Sequence, residues 1–172
     1  MVLAVGKKAP KFLLPDKNGE KHSLESSETD RVVLYFYPKD DTPGCTLEAQ
    51  EFSGVASSFK KLGVTVIGIS GGDNRSKAKF CLKHDLKIPL LSDSDFAVSE
   101  AYGVYGEKKF MGRTYKGIHR TTFIVNVKRG VIEEVFSSVK PEGHAQDILL
   151  ALKPSKSRLP SKKISELKKK GK

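Results

Sequence analysis

The tightest constraint on this chain is the passage from Val32 to Cys45, where an apolar run leads directly into a helix start that carries a cysteine. Val32 to Tyr37 is a series of β-branched and aromatic residues, long enough for one buried strand and too short for a helix. Pro38 ends it. After the loop Lys39-Asp40-Asp41, Thr42 takes the N-cap position, Pro43 the first helical position, Gly44 the second and Cys45 the third. That third position usually suits a Glu or Gln folding back to complete a capping box. A sulfur there sits among unpaired backbone N–H groups at the positive end of the helix dipole, and both favour a thiolate. The plainer alternative is that Cys45 is a small buried hydrophobe, as free cysteines often are.

At 172 residues the chain suits one domain with a proper core. With 38% hydrophobic residues it reads as globular, and no apolar run approaches the roughly 18 residues of a membrane span. The N-terminal Met-Val-Leu-Ala-Val-Gly-Lys-Lys places apolar residues before basic ones, the reverse of a secretory signal. Two cysteines without an export signal imply a reducing, cytoplasmic compartment, where such a pair is more often catalytic than structural. The net charge of +11 is concentrated at one end. Residues 153–172 hold nine Lys or Arg against Glu166, for +8, which leaves +3 for residues 1–152. The expected organisation is a folded domain over 1–152 and a basic, disordered tail over 153–172, with Ile164 and Leu167 giving a short helix one weak apolar edge. The tail reads as solvated, as an arm for polyanions or as a nuclear-import signal.

Along the chain, Phe12 to Leu14 and Lys21 to Leu24 read as a short hairpin around the turn Asp16-Lys-Asn-Gly19. The cysteine helix is expected to run to Leu62, with Leu47, Phe52, Val55, Ala56, Phe59 and Leu62 near one face and Gly63 closing it. Val64 to Ser70 reads as a second strand. Gly71-Gly72-Asp73 lacks the spacing of any phosphate-binding loop. Asp73 or Asn74 caps a helix to His84, with Ala78, Cys81 and Leu82 inward. Leu90 to Ser92 is a short strand and Asp93 to Asp95 cap a helix through Tyr102, ended by Gly103. Gly103 to Gly117 reads as a glycine-rich loop with exposed Tyr105, Phe110 and Tyr115. Thr121 to Val127 and Val131 to Phe136 form a hairpin through Lys128-Arg-Gly130, and Pro141 opens a last helix to Leu152, with Ile148, Leu149 and Leu152 inward. Repeated strand and helix signals imply an α/β layer structure.

The wording Tyr37-Pro-Lys-Asp-Asp-Thr-Pro-Gly-Cys-Thr46, within Pro38-x-x-x-Thr42-x-x-Cys45, resembles the active-site signature of the peroxiredoxins, and of their bacterioferritin comigratory protein or peroxiredoxin Q branch. The resemblance covers about residues 3–152. It implies a thioredoxin-like α/β fold with an N-terminal hairpin extension. It also implies a thiol peroxidase that reduces hydrogen peroxide and organic hydroperoxides and is recycled by thioredoxin or a similar dithiol protein, as a monomer. Cys45 then attacks the terminal peroxide oxygen and becomes a sulfenic acid. The amides of Gly44 and Cys45 and the Thr42 hydroxyl hold the peroxide oxygens, and Pro38 shields the site. Thr42 as a simple cap and Pro38 as a simple strand terminator remain equally compatible with the residues themselves. Arg120, in Gly117-Ile-His-Arg-Thr-Thr-Phe123, matches the family segment whose arginine faces the reactive sulfur and supports the leaving oxygen. Glu48, one turn beyond Cys45, is either its partner or a solvated helix residue.

Many members of this branch carry a second cysteine five positions after the first; here that position is Gln50. The other thiol is Cys81, 81 − 45 = 36 positions on. By resemblance to members that resolve from the following helix, Cys81 closes an intramolecular disulfide with Cys45; otherwise it is core filler and the enzyme uses one cysteine. His22, His84, His119 and His144 have no metal-ligand spacing with either cysteine, so neither metal nor other cofactor is expected. Without a Cys-x-x-Cys, disulfide exchange is the weaker redox alternative. A nucleic-acid-associated or partner-holding protein using the basic tail is the competitor from another class.

Overall fold

The computed structural model describes residues 1–153. Strands β1 (Leu14–Pro15) and β2 (Lys21–His22) pair antiparallel as the N-terminal hairpin. Asp16 closes its turn: Oδ1 accepts from the amides of Asn18 and Glu20, and Oδ2 meets His22 Nε2 at 2.8 Å. Next come β3 (Arg31–Phe36), helices α1 (Pro43–Gly54) and α2 (Ala56–Lys61), β4 (Val64–Ser70), α3 (Asn74–His84), β5 (Leu90–Ser92) and α4 (Ala97–Ala101). The chain continues through β6 (Tyr105–Phe110), β7 (Arg113–Ile118), β8 (Thr121–Asn126), β9 (Val131–Phe136) and α5 (His144–Leu152).

Five strands form the central sheet in the order β5-β4-β3-β8-β9. β3 pairs parallel with β4 and antiparallel with β8, so both of its edges are satisfied. Its side chains alternate between two cores, as the period of two requires. Val33, Tyr35 and the following Tyr37 meet Cys45, Ala49 and Phe52 of α1, Phe80 and Cys81 of α3, and Ile148 of α5. Val32, Leu34 and Phe36 face Phe12, Leu24, Tyr102, Val104 and Ile118. With helices or chain on both faces, the strand has no polar alternation, which is why it reads as one continuous apolar run.

Four local expectations change. The cysteine helix does not continue to Leu62. It stops at Gly54, and Val55 (φ −115°, ψ 15°) starts a separate short helix. Glycine before a β-branched residue weakens the helical backbone there, while Phe52, Val55, Ala56 and Phe59 still meet the core, so the apolar stripe crosses the break unmarked. Gly103 to Gly117 is no open loop: β6 and β7 form a registered hairpin turned at Met111 (φ 50°) and Gly112 (φ 77°). Both turn residues lie in the left-handed region, as the common two-residue hairpin turn demands. Phe110 and Tyr115 are exposed, but Tyr105 stacks on Phe96 with ring centroids 4.4 Å apart. In α3, Leu82 points to solvent at 86% exposure, and the inward positions are Lys77, Phe80 and Cys81. The last helix begins at His144, after Gly143 in the left-handed region (φ 77°).

Asp73 caps α3, accepting from the Ser76 amide at 2.9 Å. Among the described residues no helix is long and apolar enough to cross a membrane. The expected tail over 153–172, including the helix at Ile164 and Leu167, lies outside the described residues apart from Lys153.

Candidate active site

The register of the sheet assembles the site. Phe36 pairs with Thr121, so the chain leaving β3 and the residue entering β8 emerge at the same sheet end. The first becomes the loop and first turn of α1; the second is Arg120. Cys45 is the third residue of α1 and almost fully buried. Arg120 Nη2 lies 3.4 Å from its sulfur, and Nη1 donates to Glu48 Oε1 at 2.6 Å. Glu48 is one turn along the same helix and completely buried, so it is not a solvated helix residue.

Glu48 and Arg120 shape one another electrically. Burial pushes the Glu48 carboxyl up to about 7, against the pull of the Arg120 guanidinium beside it. Among the described residues its Oε2 has no hydrogen-bond partner. Burial opposes the charge on Arg120, but the negative charge of Glu48 and Cys45 outweighs it and raises the guanidinium above its ordinary value. Gly44 leaves room for this approach: a Cβ there would stand 3.1 Å from Pro141 Cγ and 3.2 Å from Arg120 Nη2, so those side chains would have to give way by a few tenths of an ångström.

Thr42 occupies the N-cap position with extended backbone, yet its hydroxyl makes no cap bond. It donates instead to the Lys39 carbonyl at 2.9 Å. The Thr46 amide reaches the Thr42 carbonyl at 2.8 Å, while Gly44 and Cys45 lie at the open end of the helix, where no preceding turn supplies carbonyls. Pro38 is half-buried and lines an adjacent cleft with Gly71, Gly72 and Phe96. Thus Cys45, Gly44, Glu48 and Arg120 come together, Thr42 borders them, and Pro38 stands in the next cleft.

Cys81 lies in α3, buried and free, in the same hydrophobic core as Cys45. Burial pushes its thiol up from the ordinary range. Several residues with a place near the site carried no sequence signal. Lys108 of β6 turns inward and donates to the Ile118 carbonyl at 2.9 Å; burial lowers its ammonium, the charge of Arg120 lowers it further, and Cys45 opposes both. Tyr35 buries its hydroxyl beneath the helix without a hydrogen-bond partner among the described residues. Lys77, one turn before Cys81, is fully buried on Asp40 of the loop leading to Cys45. Only a strongly mixed charge pattern on an otherwise inward helix face could have pointed to it.

Known proteins resemble this chain in sequence and fold. The AhpC/TSA family model matches residues 5–135. Peroxiredoxin Bcp of Escherichia coli is 45% identical over 151 residues, covering 88% of this chain and 96% of that protein. The crystal structure of a mutant PrxQ from Xylella fastidiosa superimposes with a TM-score of 0.82 at 32% identity, covering 88% of this chain and 96% of the other. A bacterioferritin comigratory protein from Xanthomonas campestris, solved for its alkyl peroxide reduction activity, gives a TM-score of 0.76 at 35% identity, with 82% and 89% of the two chains covered. Peroxiredoxin Q of that organism has been solved with cysteine-to-serine replacements at two positions 36 apart. The likeness in sequence and fold runs over nearly the whole length of these relatives, and the chain belongs to the AhpC/TSA family as a peroxiredoxin of the Bcp or peroxiredoxin Q type, a thiol-dependent peroxidase with a thioredoxin-like fold.

Proposed function

We propose that Cys45 is the peroxidatic cysteine and that Cys81 resolves it. The observation that carries this reading is Arg120, whose guanidinium touches both the Cys45 sulfur and the buried Glu48 carboxylate. The Cys45 thiolate attacks the terminal oxygen of a hydroperoxide; the O–O bond breaks, sulfur becomes a sulfenic acid, and the remaining oxygen leaves as hydroxide or alkoxide and takes a proton. Arg120 supplies positive charge where this negative charge moves, and Glu48 holds the planar guanidinium in place. The Gly44 and Cys45 amides face the peroxide oxygens. The Thr42 hydroxyl, already donating to Lys39, keeps lone pairs to accept from the peroxide O–H. Pro38 narrows solvent access from the neighbouring cleft.

The Cys81 thiol then attacks the sulfenic sulfur, water leaves, and a Cys45–Cys81 disulfide forms. Both cysteines are free and buried on different helices, and local unwinding of α1 and α3 frees the two sulfurs to bond and exposes the product to its reductant. The 36-residue separation also divides the two serine replacements made in the Xanthomonas campestris protein. A dithiol protein of the thioredoxin kind reduces the exposed disulfide. Hydrogen peroxide and alkyl hydroperoxides are the substrates, the working form is a monomer in a reducing compartment of the cytoplasm, and the +8 of residues 153–172 gives salt-sensitive polyanion binding separate from catalysis. The second reading, a one-cysteine enzyme, draws on the burial of Cys81 at 5% exposure.

Stopped-flow peroxide consumption with thioredoxin and its reductase tests the assignment. Cys45→Ser should be inactive, and Arg120→Ala should fold and react about 100-fold more slowly. Wild-type rates in Cys45→Ser would end the peroxidase mechanism. Cys81→Ser turning over as fast as wild type, with no linked peptide in a non-reducing digest, would establish the one-cysteine reading.

A further inference from the structure

The loop before Cys45 is fastened to the helix of Cys81 at two points. Asp40, whose side chain is 7% exposed, accepts from Lys77 Nζ at 2.8 Å and Ser76 Oγ at 2.5 Å through one oxygen, and from Tyr37 Oη at 2.7 Å through the other. Lys77 is fully buried, and its remaining donors go to Ser70 Oγ at 2.9 Å and the Gly71 carbonyl at 2.5 Å. Every proton of that ammonium is therefore satisfied. The next residue, Asp41, holds the other end of the helix: its carboxylate accepts from Lys83 Nζ and meets His84 Nε2, each at 2.8 Å. Ser76 and Lys77 lie on the turn before Cys81, and Lys83 and His84 lie just after it. Two adjacent aspartates thus bracket the second cysteine while sitting a few residues ahead of the first.

No clamp residue contacts the Cys45 sulfur, so the first oxidation does not call on them. The second step is different. The sulfenic acid on Cys45 has two fates: attack by the Cys81 thiol, giving a disulfide and water, or reaction with a second hydroperoxide, giving a sulfinic acid and an alcohol or water. The first fate needs loop and helix to separate and re-dock; the second needs only the closed site. A buried, charge-assisted contact is strong and geometrically demanding, so it favours the closed form.

We propose that Asp40–Lys77, backed by Asp41 with Lys83 and His84, is a clamp whose strength sets the partition of oxidised Cys45 between disulfide and sulfinic acid. This rests on Cys81 being the resolving cysteine. Asp40, Asp41 and Lys77 are positioning residues, since they act through the mobility of two helices and not on the peroxide.

The test is rapid quench of full-length protein with hydrogen peroxide, thiol alkylation and mass spectrometry, which reads sulfenic acid, disulfide and sulfinic acid separately. Lys77→Met keeps the apolar stem and removes the buried charge; the disulfide step should speed up at least about tenfold and sulfinic acid at excess peroxide should fall correspondingly. Asp41→Asn cuts the exposed tie without burying anything new, and Asn tolerates the left-handed backbone of Asp41 (φ 59°). Its disulfide step should quicken about two- to fivefold. In both, the first oxidation of Cys45 should stay within about twofold of wild type, as expected for charges that do not face the reacting oxygen. A purely structural role would lower the melting temperature and leave this partition unmoved. Should Lys77→Met fail to fold, Asp41→Asn decides: an unchanged or slower disulfide step in a folded variant overturns the clamp. Absence of the linked peptide in wild-type protein, with Cys81→Ser fully active, would instead remove the resolving role and the clamp with it.

Discussion

Glu48→Gln should make the protein more stable in alkaline solution while slowing its chemistry. The folded state holds a proton on Glu48 up to about 7, against 4.5 for the ordinary side chain, because the carboxyl is buried and, to a lesser degree, because Glu51 lies nearby, the two outweighing the pull of Arg120. Carried through the linkage relation, that difference amounts to about 3 kcal/mol. The folded form binds the proton more tightly than the unfolded chain, so this contribution is fully present below pH 4.5 and is lost as pH rises through about 7. Glutamine imitates the protonated acid at every pH. The variant should therefore match wild type near pH 4.5 and exceed it by up to about 3 kcal/mol at pH 8. His144 sharpens the comparison because it works in the opposite direction. Burial pushes its imidazole down to about 4 from 6.5, so the folded state resists its protonation, and stability rises as pH climbs through that interval. In wild type the two trends oppose each other between pH 4.5 and 6.5; in the variant only the His144 rise remains. Urea unfolding of the reduced protein, followed by circular dichroism at pH 4.5, 6 and 8, reads this directly. A stability gap that stays constant within about 0.5 kcal/mol across this range would refute the reasoning, since extrapolation error is of that order. The peroxidase rate of the variant should fall at the same time, because Arg120 loses the carboxylate that orients it.

Three further outcomes follow from packing and charge. Gly68→Ala would drive a Cβ to 2.7 Å from both Leu90 Cδ2 and Tyr35 Cζ, and should lower stability by about 1–3 kcal/mol in urea melts. Thr122→Val removes the hydroxyl that meets His144 Nε2 at 2.7 Å and leaves a buried ring nitrogen alone; thermal unfolding should show a loss of about 1–3 kcal/mol. Deleting residues 154–172 should leave peroxide consumption unchanged, while binding to a fluorescent polyanion, and its steep salt dependence, should disappear.

The features legible in the sequence were those carried by local patterns. The burial of β3 follows from the unbroken apolar run of Val32 to Tyr37, mostly β-branched and aromatic, and the start of α1 follows from Thr-Pro-Gly ahead of Cys45. Arg120 was found by the wording around it, because nothing local shows that it meets Glu48 across 72 positions. Lys77 was assigned no inward place since a lysine on a helix ordinarily faces water, and the Asp40 that neutralises it lies 37 residues upstream. The β6–β7 hairpin hid behind glycines and lysines with little alternation, and Met111-Gly112 lacks the Asn-Gly or Asp-Gly wording of its turn type. The break at Val55 was invisible for the opposite reason: the apolar stripe is continuous although the backbone is not.

That break bears on how long the protein survives while it works. Since α1 ends at Gly54, uncoiling that starts at Cys45 meets a joint before reaching Phe59 and the packing of α2 on β4. Opening is then sub-global: the start of α1 and the part of α3 around Cys81 leave the fold while the sheet keeps its protection. Proteases that sample open forms would find cleavable chain only within those two stretches, and exposure of the remainder would follow the much rarer global unfolding. Limited proteolysis during steady turnover should nick the chain between residues 39 and 54 or within α3 and spare β4, so that catalytic traffic and degradation draw on different fluctuations of the same molecule.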